Sequence, residues 1–124
     1  MNLEPWRHEF DVALGAVREG AVLAREIRQR IGEQALLKAD RSPVTVADFA
    51  VQATVAHRLH QVFPDDRLVA EEDAASLRAA DARTILQSVV DALHPAAHVL
   101  ASNLDSNQVL DAIDRAVRQT KAFT

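Results

Sequence analysis

Two groups of carboxylates have the types and positions to do chemistry. Glu71-Glu72-Asp73 follows a short β-prone run, Arg67-Leu68-Val69-Ala70. Carboxylates at the end of a strand can hold a hard cation, because the strand fixes the backbone and the loop leaves coordination positions open. Magnesium needs only one or two protein carboxylates beside water and phosphate oxygens. The same three acids would also suit the first turn of a following helix, where they complement its dipole. On the residues alone that is the simpler reading. Alternation along a strand turns Glu71 and Glu72 to opposite sides, so at most one of them is expected as a direct ligand.

Asp48 is the second candidate. It lies near the start of an otherwise apolar segment, just after Ser42-Pro43-Val44-Thr45. A charge in such surroundings is costly unless it is paired or caps a helix. It reads equally as an N-cap or first-turn acid and as a carboxylate that orients a water beside a metal. The histidines offer less. His57 and His60 are spaced to share a helix face, and Pro95 falls between His94 and His98. Imidazole is a poor match to a magnesium-type site, so all five histidines read as packing or surface residues. Ser42 and Thr45 lack the context of an activated nucleophile. No glycine follows Gly32, which excludes a phosphate-binding glycine loop.

The elements that must position these residues are mostly helices. From Pro5 to Ile31 the apolar residues Trp6, Phe10, Ala13, Leu14, Val17, Ala21, Ala24, Ile27 and Ile31 recur at three and four. That spacing predicts one amphipathic helix with one buried stripe, stopped at Gly32. Gly15 and Gly20 weaken that helix and suit close packing against a neighbour. Gln34 to Lys38 could form a short strand. A second helix is expected from Thr45 or Ala47 to Phe63, apolar almost all round and therefore central. Arg67–Ala70 is the best strand candidate. A third helix is expected over Ser76–Leu93. A fourth, capped by Ser106, runs through Val117, with Asp111–Arg115 and Asp114–Arg118 as surface pairs. The expected fold is mostly helical α+β, one domain over residues 1–124, with about four helices and one or two short strands.

Composition narrows the partners. The 124 residues are 48% hydrophobic and 26% charged, an ordinary globular balance without cysteine, so neither disulfides nor thiolate zinc sites are possible. The start has no basic segment followed by an apolar one, and no apolar run approaches a membrane span. A cytoplasmic location, away from membranes, is the expectation. The middle segment, Ala39 to Ala75, holds three basic and seven acidic residues, and so carries the whole net charge of −4. Local acidity attracts cations and disfavours nucleic acid.

The segment Lys38-Ala39-Asp40-Arg41-Ser42-Pro43-Val44-Thr45-Val46-Ala47-Asp48-Phe49-Ala50-Val51-Gln52 resembles the N-terminal signature of the inositol monophosphatase superfamily, in its 3′(2′),5′-bisphosphate nucleotidase branch. Phe63-Pro64-Asp65-Asp66, Leu68-Val69-Ala70-Glu71-Glu72-Asp73-Ala74, Leu77-Arg78 and Val109–Arg115 agree in order. The resemblance implies a layered αβαβα fold, of which this would be the N-terminal portion. It also implies a Mg²⁺-dependent, lithium-sensitive phosphomonoesterase acting on 3′-phosphoadenosine 5′-phosphate and related nucleotides. Glu71 would then bind metal, with Glu72 as a further candidate, and Asp48 would help activate the attacking water. Ala70 stands where the family has glycine. The family's D-P-x-D-G-T metal motif does not follow Arg115, so the chain alone is expected to have little or no activity. Its partners would be a phosphorylated nucleotide once the site is completed, and a second copy or a complementary C-terminal chain. The competing expectation is a non-catalytic helical module, derived from that fold, that self-associates or binds a partner.

Overall fold

The computed structural model describes residues 2, 4–35, 43–72, 74–78, 83–93 and 104–117. After a 3₁₀ turn at Glu4–Trp6, helix α1 spans Arg7–Ala35 and α2 spans Pro43–Val62. Strand β1 is Leu68–Val69, followed by α3 (Ala75–Arg78), α4 (Arg83–Leu93), α5 (Ser106–Arg115) and strand β2 (Ala116–Val117).

Helix α2 is the centre, as its apolar circumference requires. It packs against α1, α4 and α5. Val46, Phe49, Ala50, Ala53 and Ala56 are buried, and Val51, Val55 and Leu59 are half-buried on its other sides. Its buried hydroxyl, Thr54, donates to the Ala50 carbonyl one turn back at 2.9 Å. Pro43 opens the helix, a position where its missing N–H costs nothing. The start is therefore earlier than the expected Thr45 or Ala47.

Helix α1 corrects the single-stripe expectation. Ala16, Gly20, Leu23 and Ile27 are buried, but Trp6, Phe10 and Val17 are 63%, 42% and 65% exposed. At 3.6 residues per turn, Phe10 and Val17 form a stripe roughly 90° around the axis from the buried set, and Trp6 of the preceding 3₁₀ turn continues it. Only the buried set faces α2. Gly32 does not stop the helix either: α1 continues to Ala35, and no described glycine takes the left-handed conformation of a C-terminal stop. Gln34 and Ala35 are thus helical rather than the start of a strand, and 36–38 lie outside the described residues.

Gly15 and Gly20 lie where α1 and α2 approach closely. A Cβ on Gly20 would stand 3.2 Å from a Val51 methyl, and one on Gly15 would stand 3.2 Å from the Arg58 guanidinium. Arg58 also donates to the Glu19 carboxylate, a half-buried ion pair that joins the two helices. Near their ends, the rings of His8 and Phe63 meet edge to face at 5.5 Å.

The segment read as one helix from Ser76 to Leu93 contains two described helices, α3 and α4, with 79–82 outside the described residues. Each is anchored separately. In and before α3, Ala74 and Leu77 are buried and Arg78 reaches Asp114 of α5 through a two-pronged ion pair, 2.6 and 3.2 Å. Asp114 therefore pairs across helices, and Arg118, its expected surface partner, lies outside the described residues. Helix α4 buries Val89, Val90, Ala92 and Leu93, and α5 buries Val109, Ala112 and Ile113 in the same core.

The cap of α5 is Asp105, not Ser106. The Gln108 N–H donates to the Asp105 carboxylate at 2.9 Å, and the Asp105 N–H donates to the Gln108 side-chain oxygen at 3.0 Å. This reciprocal pair is a capping box. The helix ends at Arg115 rather than running through Val117. Ala116–Val117 instead pair in parallel with β1, Leu68 opposite Ala116 and Val69 opposite Val117. Parallel neighbours need a long crossover, which α3, α4 and α5 provide.

Candidate functional site

The carboxyl end of β1 opens onto a cleft of about 500 Å³ between α1, α2 and the segment after the strand. Ala24 of α1 and Val51 and Val55 of α2 form its apolar wall. Asp48 and Gln52, one helical turn apart, line it from α2, and Ala70, Glu71 and Glu72 line it from the strand end. The structure thus brings together the three acids singled out in the sequence, Asp48, Glu71 and Glu72. Asp73 lies outside the described residues.

Two features of this site differ from what the residues alone suggest. Asp48 is neither an N-cap nor a first-turn acid. With α2 starting at Pro43, it sits in the second turn, exposed to the cleft. Strand alternation does not govern Glu71 and Glu72 either, because β1 ends at Val69 and residues 70–72 bend away. Ala70, in place of glycine, costs no backbone strain here, since no described residue other than glycine has a positive φ.

Gln52 is the residue that sequence reasoning passed over. Its side-chain amide donates to the Glu72 carbonyl at 3.0 Å and accepts from the Glu72 N–H at 2.9 Å. One side chain thereby satisfies both main-chain groups of Glu72, as a neighbouring strand would. The available signal was positional: Gln52 is a polar residue one turn beyond Asp48 on an apolar helix.

Among the described residues, no histidine lines this cleft. His60, Phe63, Arg67 and Arg115 line a smaller cleft, about 150 Å³, at the other end of β1. Burial pulls His57 below the ordinary histidine range, and the positive charges of Arg115 and His60 pull it further. His94 and His98 lie outside the described residues.

The donors around the larger cleft are hard carboxylate oxygens, which fit magnesium rather than a softer metal. Among the described residues, no group of three or more His, Asp or Glu side chains is close enough to hold an ion. Asp48 and Glu71 line the same cleft without completing such a group. No described helix is long and apolar enough to cross a membrane.

No family model matches the chain. Curated proteins do. It is 35% identical over 121 residues to a putative mitochondrial 3′(2′),5′-bisphosphate nucleotidase of Arabidopsis thaliana, covering 95% of this chain and 30% of that one. It is 32% identical over 119 residues to 3′(2′),5′-bisphosphate nucleotidase 1 of Candida albicans, covering 89% and 33%. Over a shorter stretch of 75 residues it is 40% identical to the 3′(2′),5′-bisphosphate nucleotidase of Schizosaccharomyces pombe, covering 56% and 21%. The matches with the plant and Candida proteins span about a third of each relative's length. By sequence, then, the chain belongs to the family of the 3′(2′),5′-bisphosphate nucleotidases, over about a third of a member's length.

Proposed function

We propose that the cleft at the end of β1 is part of the active site of a magnesium-dependent phosphomonoesterase acting on a 3′(2′),5′-bisphosphate nucleotide. The observation that carries this reading is the meeting of Asp48 and Glu71 on one open cleft at the carboxyl end of a parallel strand. Ligands of open parallel sheets bind at that end. The inositol monophosphatase-like layered fold belongs to the same proposal.

In this reading Glu71 would hold the cation, with Glu72 a further candidate, and Asp48 would orient the attacking water. A divalent ion held there would supply polarisation of the phosphoryl group and a more nucleophilic water, so no covalent intermediate would be required. Asp48 is held rigidly for this task, because it projects from the second turn of the central helix. Its role would be that of a base toward that water. Val51 and Val55 make one side of the cleft apolar, which strengthens any charge interaction within it. A partial donor set binds magnesium weakly against water, so these 124 residues on their own have little or no phosphatase activity.

Calorimetric titration with Mg²⁺ tests the reading. The chain should give a weak binding isotherm that Glu71→Gln removes. Identical heats from both would withdraw Glu71 as a ligand. Robust phosphate release from 3′-phosphoadenosine 5′-phosphate by the purified chain would contradict the claim that the residues present are insufficient.

A further inference from the structure

We infer that Gln52 is a positioning residue: its side-chain amide fixes the main chain of Glu72 against α2, and thereby sets Glu71 at a constant separation from Asp48. The inference rests on the proposed cation-binding role of the cleft and deepens it.

The geometry supports this role in three ways. Gln52 and Asp48 are one turn apart on the same rigid helix, so whatever Gln52 grips is referred directly to Asp48. The grip is two-point, 3.0 and 2.9 Å to the carbonyl and N–H of one residue, which fixes orientation as well as distance. Glu71 lies between this clamp and β1, whose two residues pair with β2. It is therefore tethered on both sides, although it is itself exposed. Carboxylates meant to share one cation must be held close together against their mutual repulsion, and a neutral amide can do this without adding charge. An acid at position 52 would keep the bond from the Glu72 N–H, lose the donor to its carbonyl and add a further negative charge.

The test uses the 124-residue chain, with Mn²⁺ as a paramagnetic probe in ¹⁵N-resolved NMR, and amide hydrogen exchange as a metal-free readout. Gln52→Met keeps length and helix preference but removes both hydrogen bonds. In the wild type, the Glu72 amide should exchange slowly and Mn²⁺ should broaden the signals of Asp48, Glu71 and Glu72 first. In Gln52→Met, the Glu72 amide should exchange at least about tenfold faster, and the Mn²⁺ needed for equal broadening should rise about tenfold or more, the usual cost of losing a residue that orients a ligand. Signals of Val89 and Ile113 should be unchanged, which separates positioning from loss of fold. Gln52→Glu should keep most of the wild-type protection at the Glu72 amide, because the bond from its N–H survives.

Unchanged Glu72 exchange in Gln52→Met would overturn the clamp. Unchanged Mn²⁺ broadening in Gln52→Met, with broadening lost in Glu71→Gln, would overturn the positioning role while leaving the cation site standing. Broadening unaffected by Glu71→Gln would remove the cation site itself, and the inference with it.

Discussion

Gly15 and Gly20 occupy the same helix and meet the same neighbour, yet alanine should stabilise the chain only at Gly15. In a helix interior, replacing glycine by alanine gains about 1 kcal/mol. Against that stands the space available. At Gly15 a new Cβ would lie 3.2 Å from the end of the Arg58 side chain. A guanidinium at the end of a long side chain can move a few tenths of an ångström while keeping its bond to Glu19. Most of the gain should survive, about 0.5–1 kcal/mol. At Gly20 the Cβ would lie 3.2 Å from one Val51 methyl and 3.8 Å from a Val55 methyl. Valine in a helix is confined to essentially one rotamer. Turning Val51 away costs roughly 0.5–1.5 kcal/mol, and separating the helices instead would loosen the core around Leu23 and Ala53. The two terms at Gly20 therefore cancel or end in a net loss, and the variants should differ by about 1 kcal/mol. For a chain of this size that is a difference in Tm of about 4 °C. Urea unfolding followed by far-UV circular dichroism measures it. Val51→Ala placed on the Gly20→Ala background should recover stability, with a coupling of about 0.5–1 kcal/mol in the double-mutant cycle. Equal stabilisation by Gly15→Ala and Gly20→Ala, or no coupling with Val51, would refute the packing argument.

Three further outcomes follow from the structure. Asp105→Ala removes the accepting half of the capping box and should cost about 1 kcal/mol, whereas Ser106→Ala should cost far less, read from the same unfolding curves. His57 should titrate below the ordinary value of 6.5 in ¹³C-resolved NMR, and Arg115→Met should move it part of the way back. Because the unfolded chain takes up this proton first as pH falls, the stability due to neutral His57 is complete above 6.5 and declines as pH drops through its lowered folded pKa; a titration at or above 6.5 would contradict this. Asp114→Asn breaks an exposed pair with Arg78, both side chains more than two-fifths accessible, and should change stability by less than about 1 kcal/mol, an effect that vanishes at high salt.

The limits of reading this chain from its sequence follow the range of the interactions. Helix α2 was legible because a helix apolar on every side has only one place to go. The strand at Leu68–Val69 was legible for a similar local reason, a short β-prone run closed by acids. The stripe on α1 was not, because two apolar sets at the same spacing overlap in sequence and only the crossing of α2 selects between them. Strand β2 was missed because two residues gain extended structure only by pairing with β1, a partner far away in sequence. Within the site, Asp48, Glu71 and Glu72 were visible as individual residue types in a recognisable pattern. Their meeting on one cleft, and the amide of Gln52 that holds the strand end, depend on contacts between segments and could not be read from either segment alone.

The exposed stripe on α1 decides how this protein can be observed. Its one tryptophan, Trp6, is 63% exposed, and the chain has no tyrosine. The only strong intrinsic fluorophore therefore already sits in water in the folded state, and its emission is nearly blind to the collapse of the core built on Leu23, Val89 and Ile113. The same placement makes it a selective sensor for whatever covers Trp6, Phe10 and Val17. A blue shift of its emission that grows with protein concentration would register contact between copies, and unfolding would pass almost unseen in the same channel.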